Sequence, residues 1–398
     1  MRLPQDRVRR RRLGALATVA AIAALAGMAV GSRDEGPDEA EPARGVADER
    51  AAPVAKLPLE RQVGQLLMMS FDEPVAPAYI RRRLRAGEGA GVILFGHNVT
   101  DEAGLARLTR SLHRAAGGRT LIATDQEGGE IRNVPFAGPE ISQSAVATPA
   151  AARAAAAEAA RGLSGVGVNV NLAPVADVAP PAGGGALAGR LYPGAPEDVA
   201  ELVAAAVRAH YGEGIATTVK HYPGLGRATV NTDDGSATID AARSELEAAD
   251  LEPFRAAVAA DAPLVMASHA LYPAFDPDSI ASQSHVLLTD VLRGELGYRG
   301  VVVTDSIEAQ AVLDRSDVAT AAVRSIEAGA DLVLMTGSGS WNLVYPRLLR
   351  RARRSPAFRA RVEESARRVL GIQRRLRLTP GSRDAGQLPR RASGTASD

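Results

Sequence analysis

The stretch TTVKHYPGLGRATVNTD, residues 217–233, determines how the rest of the chain is interpreted. It begins with β-branched residues typical of a strand, and that strand ends in a cation and an imidazole, Lys220 and His221. A Pro-Gly pair then breaks the strand, and a polar, glycine-containing loop follows. A strand that delivers ionisable side chains into such a loop is typical of the edge of an active site.

Seven other short apolar runs accompany this strand, and longer amphipathic segments rich in Ala, Arg and Glu separate them. Strands that alternate with helices predict βα units and a parallel sheet, and eight such units predict a single (β/α)8 barrel, the TIM barrel. An open, doubly wound sheet is the alternative, but no Gly-x-Gly-x-x-Gly turn follows the first strand. The predicted strands are 64–70, 91–95, 120–124, 167–171, 217–220, 264–268, 300–304 and 331–336. The predicted helices are 79–85, 102–115, 149–163, 196–213, 244–260, 283–296, 317–328, 342–353 and a closing helix at 357–376.

Polar side chains follow the predicted strands at their carboxyl ends, where a barrel carries its reactive groups. One acid after a strand is a common helix cap. Six consecutive strand ends with ionisable or hydroxyl groups instead predict a site. The residues are Asp125 with Gln126 and Glu127, Asp177, Lys220 with His221, His269, Asp305 and Thr336.

Both ends of the chain lie outside the predicted barrel, which spans residues 57–378. Residues 1–32 combine an arginine cluster with an apolar run of about twenty residues, close to the length that spans a bilayer. This pattern predicts a signal peptide or an uncleaved membrane anchor, and therefore an exported body. Residues 33–56 are acidic and rich in Pro and Ala, which predicts a linker, and 379–398 are expected to form a disordered tail.

Composition excludes several classes of function. The formal net charge is +1 and aromatic residues make up 4%, which indicates neither a basic groove nor a stacking platform for nucleic acid. The absence of cysteine excludes disulfides, thiolate metal sites and lipid attachment through a cysteine. No His-Glu-x-x-His metal motif, Gly-x-Ser-x-Gly elbow or phosphate-binding loop is present. The sequence therefore predicts no metal site.

What remains is a set of carboxylates and basic groups around one barrel mouth. This set suits glycoside hydrolysis, which needs a pair of acid/base groups and hydrogen-bonding partners for sugar hydroxyls. Lys220 is the one lysine at a predicted strand end. It therefore leaves a second chemistry open, a lyase that forms a Schiff base with a carbonyl substrate.

Five ordered motifs resemble glycoside hydrolase family 3, and more narrowly its β-N-acetylglucosaminidase branch. They are IATDQEGGEIRNV at 122–134, NVNLAPVADV at 169–178, KHYPGLG at 220–226, MASHALYPAFD at 266–276 and VVVTDSIEA at 301–309. The resemblance covers residues 59–376 and implies a barrel, a retaining mechanism and no cofactor. It also implies a carbohydrate substrate, with terminal β-linked N-acetylglucosamine of cell-wall or chitin-like glycans expected. A β-glucosidase-type specificity and transfer to phosphate stay open.

The resemblance also implies roles for individual residues. Asp305 occupies the position of the nucleophile, and a retaining mechanism requires this carboxylate to be ionised when it attacks the anomeric carbon. Nearby Lys220 or Arg190 would favour that ionised state. His269 and Asp177 are expected either to contact the sugar or to support residues that do. The positions that match sugar-binding residues of the family are Asp125, Arg190, Lys220 and His221.

The loop after the fifth predicted strand departs from the pattern of this branch. The branch carries an Asp-Ser-His acid/base dyad after Pro-Gly-His-Gly, but here Leu225 replaces the first His, Asn231 the Asp and Asp233 the dyad His. In one interpretation Asp233, next to Asp234, is the general acid/base, with a pKa raised by burial or by a neighbouring carboxylate. Arg227 would oppose that shift. In the other interpretation the loop only binds, and the protein is a catalytically impaired glycan-binding protein.

Overall fold

The structure, a computed structural model, describes residues 54–118, 120–181 and 183–376. The predicted signal or anchor at 1–32, most of the linker and the tail at 379–398 lie outside these residues. The last predicted linker residues, Val54–Lys56, form a 3₁₀ turn, and Val54 packs into the core. The folded body therefore begins a few residues earlier than predicted, because Val54 and Leu57 are apolar and find a place to be buried.

Eight parallel strands close into a barrel in which each strand pairs with its neighbours in the sequence. The last strand closes the ring by pairing with the first, with Leu67 opposite Val333. The predicted (β/α)8 barrel is confirmed. The strands are β1 (Leu67–Met69), β2 (Gly91–Ile93), β3 (Leu121–Thr124), β4 (Val170–Asn171), β5 (Ala216–Tyr222), β6 (Leu264–Ala267), β7 (Val301–Ser306) and β8 (Leu332–Leu334).

Helices surround the barrel, and all nine predicted helical regions are present. The α-helices are Leu59–Gly64, Ala78–Ala86, Glu102–Ala115, Pro149–Gly165, Pro196–Gly212, Arg243–Glu245, Glu252–Ala259, Gln310–Leu313, Val318–Ala328, Ser340–Arg354 and Pro356–Arg375. The segments Leu246–Asp250 and Val286–Glu295 are π-helical, and 3₁₀ turns lie at Gly96–Asn98, Gln143–Ala145, Ala188–Arg190 and Ala281–Gln283. Among the described residues, no helix combines the length and the apolar character needed to cross a membrane.

Some local structure differs from the prediction. The predicted helix 244–260 is divided, and a new α-helix begins at Glu252 next to Pro253, which has no N–H to continue the preceding turn. Gly64 ends a helix and does not start the first strand. A Cβ at this position would collide with the backbone of Gly87 and Glu88, so the close approach requires glycine. Two hairpins were not predicted, Gln126–Gly128 with Ile131–Arg132 and Leu271–Tyr272 with Asp276–Ile280.

The interior of the barrel is filled by apolar side chains from all eight strands. Val369 and Ile372 of the last helix, Pro356–Arg375, join this interior cluster. The same helix contacts Asp331, which directly precedes β8. The helix therefore closes the barrel at the amino ends of the strands, which we call the base, and leaves the interior accessible from their carboxyl ends.

The described residues, 54–118, 120–181 and 183–376, all belong to one compact unit. Its sheet has no open edge because the ring of strands is complete. Its interior and outer clusters are built from its own residues. The chain from Gly45 onward therefore contains everything that the barrel needs to fold.

Candidate active site

A pocket of about 450 Å³ opens at the carboxyl ends of the strands, within the size range of small-molecule sites. One part of its wall is charged or polar, and the other part is apolar. The polar lining residues are Asp125, Glu127, Glu130, Asn133, Arg190, Lys220, His221, Asn231, Asp233, Asp305, Ser306 and Thr336. The apolar ones are Ile93, Phe95, Ile131, Leu172, Leu187, Leu225, Met266 and Leu334. The predicted catalytic and sugar-binding residues Asp125, Arg190, Lys220, His221, Asp233 and Asp305 therefore meet in one pocket, whereas His269 and Asp177 do not line it.

Two carboxylates that follow β3 hold the two cations of the pocket. Lys220 Nζ lies 2.6 Å from Asp125 Oδ1 and 2.7 Å from Glu127 Oε1. Arg190 donates from Nε and Nη2 to the two oxygens of Glu127 at 2.9 and 2.7 Å. Burial alone would raise the pKa of Glu127, but Lys220 and Arg190 outweigh it and lower this pKa to about 2. The carboxylate of Glu127 in turn favours the charged forms of Lys220 and Arg190.

Lys220 is poorly suited to Schiff-base chemistry in this setting. Burial favours its neutral amine, but the carboxylates of Asp125 and Glu127 outweigh burial and raise its pKa above the ordinary value. A lysine that attacks a carbonyl must first lose its proton. The geometry therefore favours a role for Lys220 as a hydrogen-bond donor.

His221 lies between two carboxylates. Its Nδ1 is 2.7 Å from Asp177 Oδ2, and its Nε2 is 4.0 Å from Asp305 Oδ2. Asp177 is fully buried, and its Oδ1 accepts the backbone N–H groups of His221 at 3.1 Å and Leu225 at 2.6 Å. Asp177 therefore orients the imidazole ring and the start of the next loop, and it does not itself line the pocket.

Asp305 lies near the end of β7 and faces the pocket. Its Oδ1 accepts the N–H of Ser306 at 2.8 Å. Burial alone would raise the pKa of Asp305. The net shift is nevertheless downward, because the effect of burial is outweighed by the imidazoles of His221 and His269 and by the N–H of Ser306. Asp305 does not cap a helix, since the next helix begins at Gln310. It is an ionised carboxylate whose acceptor oxygens are available to the pocket.

The first part of the loop after β5 is fastened to the barrel. Arg227 Nε donates to Asp250 Oδ2 at 3.0 Å, and Arg227 Nη1 lies 4.0 Å from Glu245. Arg227 was expected to lower the pKa of Asp233, and the structure corrects this, because its charge is used by the buried carboxylate of Asp250. The direction of an arginine side chain in a loop depends on tertiary contacts and cannot be deduced from sequence spacing.

The second part of this loop docks onto the helix that follows β7. Gln310 N donates to Asp233 O at 3.3 Å, and Ala311 N donates to Thr232 O at 3.1 Å. Ser236 Oγ donates to Asp314 Oδ2 at 2.9 Å. The backbone that carries Asp233 is therefore attached to the segment that directly follows Asp305.

Asp233 and Asp305 line the same pocket but have opposite pKa shifts. The side chain of Asp233 reaches solvent at the pocket mouth. The pocket walls still remove much of its water, and together with the negative charge of Asp305 they raise the pKa of Asp233 to about 6. His221 and Arg190 oppose this shift without cancelling it. Carboxylates whose surroundings separate their pKa values are typical of an acid and a nucleophile.

Comparison with known proteins identifies the family. Residues 58–372 match the model of the glycosyl hydrolase family 3 N terminal domain. The chain belongs to glycoside hydrolase family 3. An uncharacterized secreted glycosyl hydrolase of Arthroderma benhamiae is 32% identical over 340 residues, which are 82% of this chain and 96% of that protein. A β-hexosaminidase of Xanthomonas oryzae pv. oryzae is 35% identical over 256 residues, 62% of this chain and 76% of that protein.

Solved structures agree with this family 3 assignment. A family 3 β-N-acetylglucosaminidase from Paenibacillus sp. str. FPU-7 superposes with a TM-score of 0.76 at 32% identity, covering 86% of this chain and 66% of that longer chain. A β-N-acetylhexosaminidase from Beutenbergia cavernae DSM 12333 gives a TM-score of 0.70 at 34% identity, covering 80% of this chain and 99% of that one. The predicted family and enzyme class are confirmed: the protein is a glycosidase that acts on carbohydrate.

In this family 3 glycosidase, His269 does not reach the pocket. Its Nδ1 lies 2.7 Å from Ser282 Oγ, and its Nε2 lies 2.9 Å from the carbonyl oxygen of Ser306. Both ring nitrogens are therefore used by the protein, and burial lowers the pKa of the imidazole. Of the two roles expected for His269, the supporting one fits this geometry, because the ring supports the end of β7 from behind.

Two acids of the family 3 site had no role assigned from the sequence. Glu127 was noted only as part of a polar triplet. Its position two residues after Asp125 on an extended segment, which places both side chains on one face, was the available signal. Glu308 Oε2 accepts the N–H of Thr336 at 2.9 Å and the hydroxyl of Ser306 at 3.2 Å. It orients the hydroxyls of Ser306 and Thr336. Glu308 lies within the motif VVVTDSIEA at 301–309, but no role was predicted for it. Among the described residues, no group of three or more His, Cys, Asp or Glu could hold a metal ion.

Proposed function

We propose that this family 3 glycosidase is a retaining enzyme that removes terminal β-linked N-acetylglucosamine, or a related N-acetylhexosamine, from cell-wall or chitin-like glycans. The observation that carries the proposal is the pair Asp305 and Asp233 in one pocket with pKa values shifted apart. A retaining mechanism needs one carboxylate that is ionised and one that is protonated. Asp305 suits the first role and Asp233 the second.

The reaction then proceeds in two steps. Asp305 attacks the anomeric carbon and forms a glycosyl-enzyme ester, while Asp233 gives its proton to the departing glycosidic oxygen. In the second step Asp233, now ionised, takes a proton from water, and the resulting hydroxide attacks the same carbon and releases Asp305. His221 is held with Nε2 towards Asp305, where it supports the ionised nucleophile before attack.

The remaining polar residues of the pocket are proposed to bind the sugar next to the cleaved bond. The carboxylate of Asp125 accepts hydroxyl protons, while Lys220, Arg190 and His221 supply donors for hydroxyl or acetamide oxygens. The apolar part of the wall, which includes Met266, provides a surface for the non-polar face of the ring. The β-hexosaminidases and β-N-acetylglucosaminidases among the relatives support the choice of an N-acetylated sugar.

We also propose that the enzyme works outside the cytoplasm. The arginine cluster and apolar run of residues 1–32 are the sequence features of an export signal or anchor. Residues 33–53 would then serve as a linker to the barrel. A secreted relative in Arthroderma benhamiae supports export.

The test is hydrolysis by the full-length protein of 4-nitrophenyl β-N-acetylglucosaminide, the corresponding β-glucoside, and N-acetylglucosamine disaccharides. Proton NMR of the first product should show the β-anomer, because two inversions at one carbon restore the configuration. Preference for the glucoside would reassign the sugar, and an initial α-anomer would reject the retaining mechanism. Saturable binding of N-acetylglucosamine without turnover of any substrate would favour a glycan-binding protein.

A further inference from the structure

The two C-terminal helices differ in charge from the rest of the barrel. Residues 340–376 contain eleven arginines and two glutamates, a formal charge of +9. Residues 54–339 contain 23 basic and 34 acidic side chains, a formal charge of −11. The net charge of +1 for the whole chain is therefore distributed unevenly: residues 340–376 are strongly basic, and residues 54–339 are acidic.

The arginines on the outer surface of these helices are exposed. On Ser340–Arg354, the side chains of Arg347, Arg350 and Arg354 are spaced i, i+3 and i+7, which aligns them along one helix face. On Pro356–Arg375, the exposed arginines without an ion pair are Arg359, Arg374 and Arg375. Within the part of the chain that the structure describes, none of these six guanidinium groups forms an ion pair. We call these six residues the arginine face.

Other arginines of the same helices have partners, which shows that the arginine face is distinct. Arg361 and Arg368 bind the buried Asp331 at 2.6 and 3.0 Å. Arg351 and Arg353 lie 2.7 and 2.6 Å from Glu327 and Glu60. These four cations are neutralised within the protein. The charge of the arginine face is left for a partner.

The arginine face lies on two helices that pack against each other, and one of them, Pro356–Arg375, forms the base of the barrel. Pro356–Arg375 packs under the amino ends of the strands, with Ser365 bonded to Asp331 and Gln373 to the carbonyl oxygen of Ala90. The pocket with Asp305 opens at the opposite, carboxyl ends. A partner bound at the base would therefore leave the pocket open.

We propose that the arginine face docks the barrel onto an anionic phospholipid bilayer. Guanidinium groups match phosphate in charge and geometry, and basic residues near an anionic membrane surface each strengthen binding. Leu343 lies one helical turn before Arg347 and is 60% exposed. An apolar side chain next to a row of arginines is a feature of helices that lie in a membrane interface, and it favours a bilayer over a soluble polyanion. This docking does not depend on the proposed catalytic activity.

The test is co-sedimentation of the chain from Gly45 onward with vesicles of phosphatidylglycerol or phosphatidylcholine. Starting at Gly45 removes the apolar run 13–32, which could bind vesicles by itself, and keeps the complete barrel. We expect binding to phosphatidylglycerol, little binding to phosphatidylcholine, and release at high salt because exposed charges are screened. The double variant Arg350→Gln/Arg354→Gln should bind about 30-fold more weakly, since each basic residue contributes about fivefold.

The matched control is Arg153→Gln/Arg208→Gln. These two arginines are also exposed and without a partner among the described residues, but they share a groove with Glu197 and Glu201. The control removes the same charge and should bind vesicles like the parent protein. Equal weakening of both variants would show a non-specific charge effect, and absence of binding to phosphatidylglycerol would also overturn the proposal. Inorganic polyphosphate that binds more tightly than the vesicles would assign the face to a soluble polyanion.

Discussion

As the proposed nucleophile, Asp305 should be the least replaceable residue of the pocket. Asn at this position has the same size, but it cannot form the glycosyl ester, and the influence of His221 on the carboxylate is lost. We expect Asp305→Asn to reduce kcat for 4-nitrophenyl β-N-acetylglucosaminide by roughly 10⁴-fold or more. Circular dichroism should show an intact fold. If the variant kept an activity near that of the parent, Asp305 could not be the nucleophile.

Asp233 is tested by changing the leaving group of the substrate. Nitrophenolate departs with little help, whereas a sugar alcohol needs a proton, and general acid catalysis is worth about 10²–10⁴-fold. Asp233→Asn should therefore slow disaccharide cleavage by a factor in that range. It should slow the formation of the glycosyl-enzyme from the nitrophenyl substrate much less. Pre-steady-state bursts of nitrophenolate measure the latter step. Asp234→Asn is the control, because Asp234 is adjacent and does not line the pocket. An equal loss on both substrates would contradict acid catalysis by Asp233.

The pH dependence follows from the same two carboxylates. Asp233 is protonated below its pKa of about 6, so kcat/KM for disaccharides should fall as the pH rises through this value. Asp305, with a pKa lowered by its neighbours, should lose its charge only at acidic pH, so the acidic limb should lie below the ordinary aspartate value of about 3.9. Because Asp233 and Asp305 interact, the pKa values read from the two limbs of the pH profile describe the pair and not either residue alone. The limb near pH 6 should disappear in Asp233→Asn, and its persistence would assign it to another group.

At the scale of elements, the loop after β5 docks onto helix Gln310–Leu313. This contact can be tested by removing one backbone hydrogen-bond donor. Gln310 is the first residue of this helix, where proline is tolerated, and Ala309 already has the extended conformation that proline requires before it. Gln310→Pro therefore removes the N–H that binds Asp233 O and preserves the helix. Because small displacements of a catalytic group cost up to about 10²-fold, disaccharide cleavage should fall by about tenfold or more.

Gln310→Ala is the matched control for this substitution. It removes the side-chain contact with Asp314 but keeps the backbone donor to Asp233. Its disaccharide kinetics should resemble those of the parent, and the nitrophenyl burst should be similar in both variants. If Gln310→Pro and Gln310→Ala behave alike, the backbone contact does not position the acid.

The same elements show how far the sequence could predict the site. Alternating apolar runs predicted all eight strands, and polar residues at strand ends predicted that Asp125, Lys220 and Asp305 would meet, because strand direction alone fixes that arrangement. The orientation of His269 and Arg227 could not be predicted, since each is determined by a partner on a distant element. The raised pKa of Asp233 was only one of two interpretations, because it depends on tertiary contacts that place the loop after β5 at the same pocket as Asp305.

At the scale of the whole molecule, the barrel has an open catalytic end and a base closed by a helix. The closure depends on Asp331, a fully buried carboxylate that binds Arg361 at 2.6 Å and Arg368 at 3.0 Å on the closing helix. It also binds Arg293 at 2.6 Å, next to the helix end that precedes β7. One acid therefore connects β8, the closing helix and the preceding helix.

This arrangement predicts that the Asp331 cluster at the base contributes strongly to stability. Asp331→Asn keeps the shape of the side chain but removes the anion of the buried Arg293 and leaves Arg361 and Arg368 with Glu364 as their only acidic partner among the described residues. Breaking such a buried pair costs about 3–5 kcal/mol. Urea unfolding of the chain from Gly45 onward, followed by circular dichroism, should show this loss. Glu363→Gln removes the acid that pairs with exposed Arg367 on the same helix and should cost no more than about 1 kcal/mol. Equal effects of the two substitutions would mean that the closing helix is held by its apolar contacts with the barrel interior, and that the Asp331 cluster contributes little.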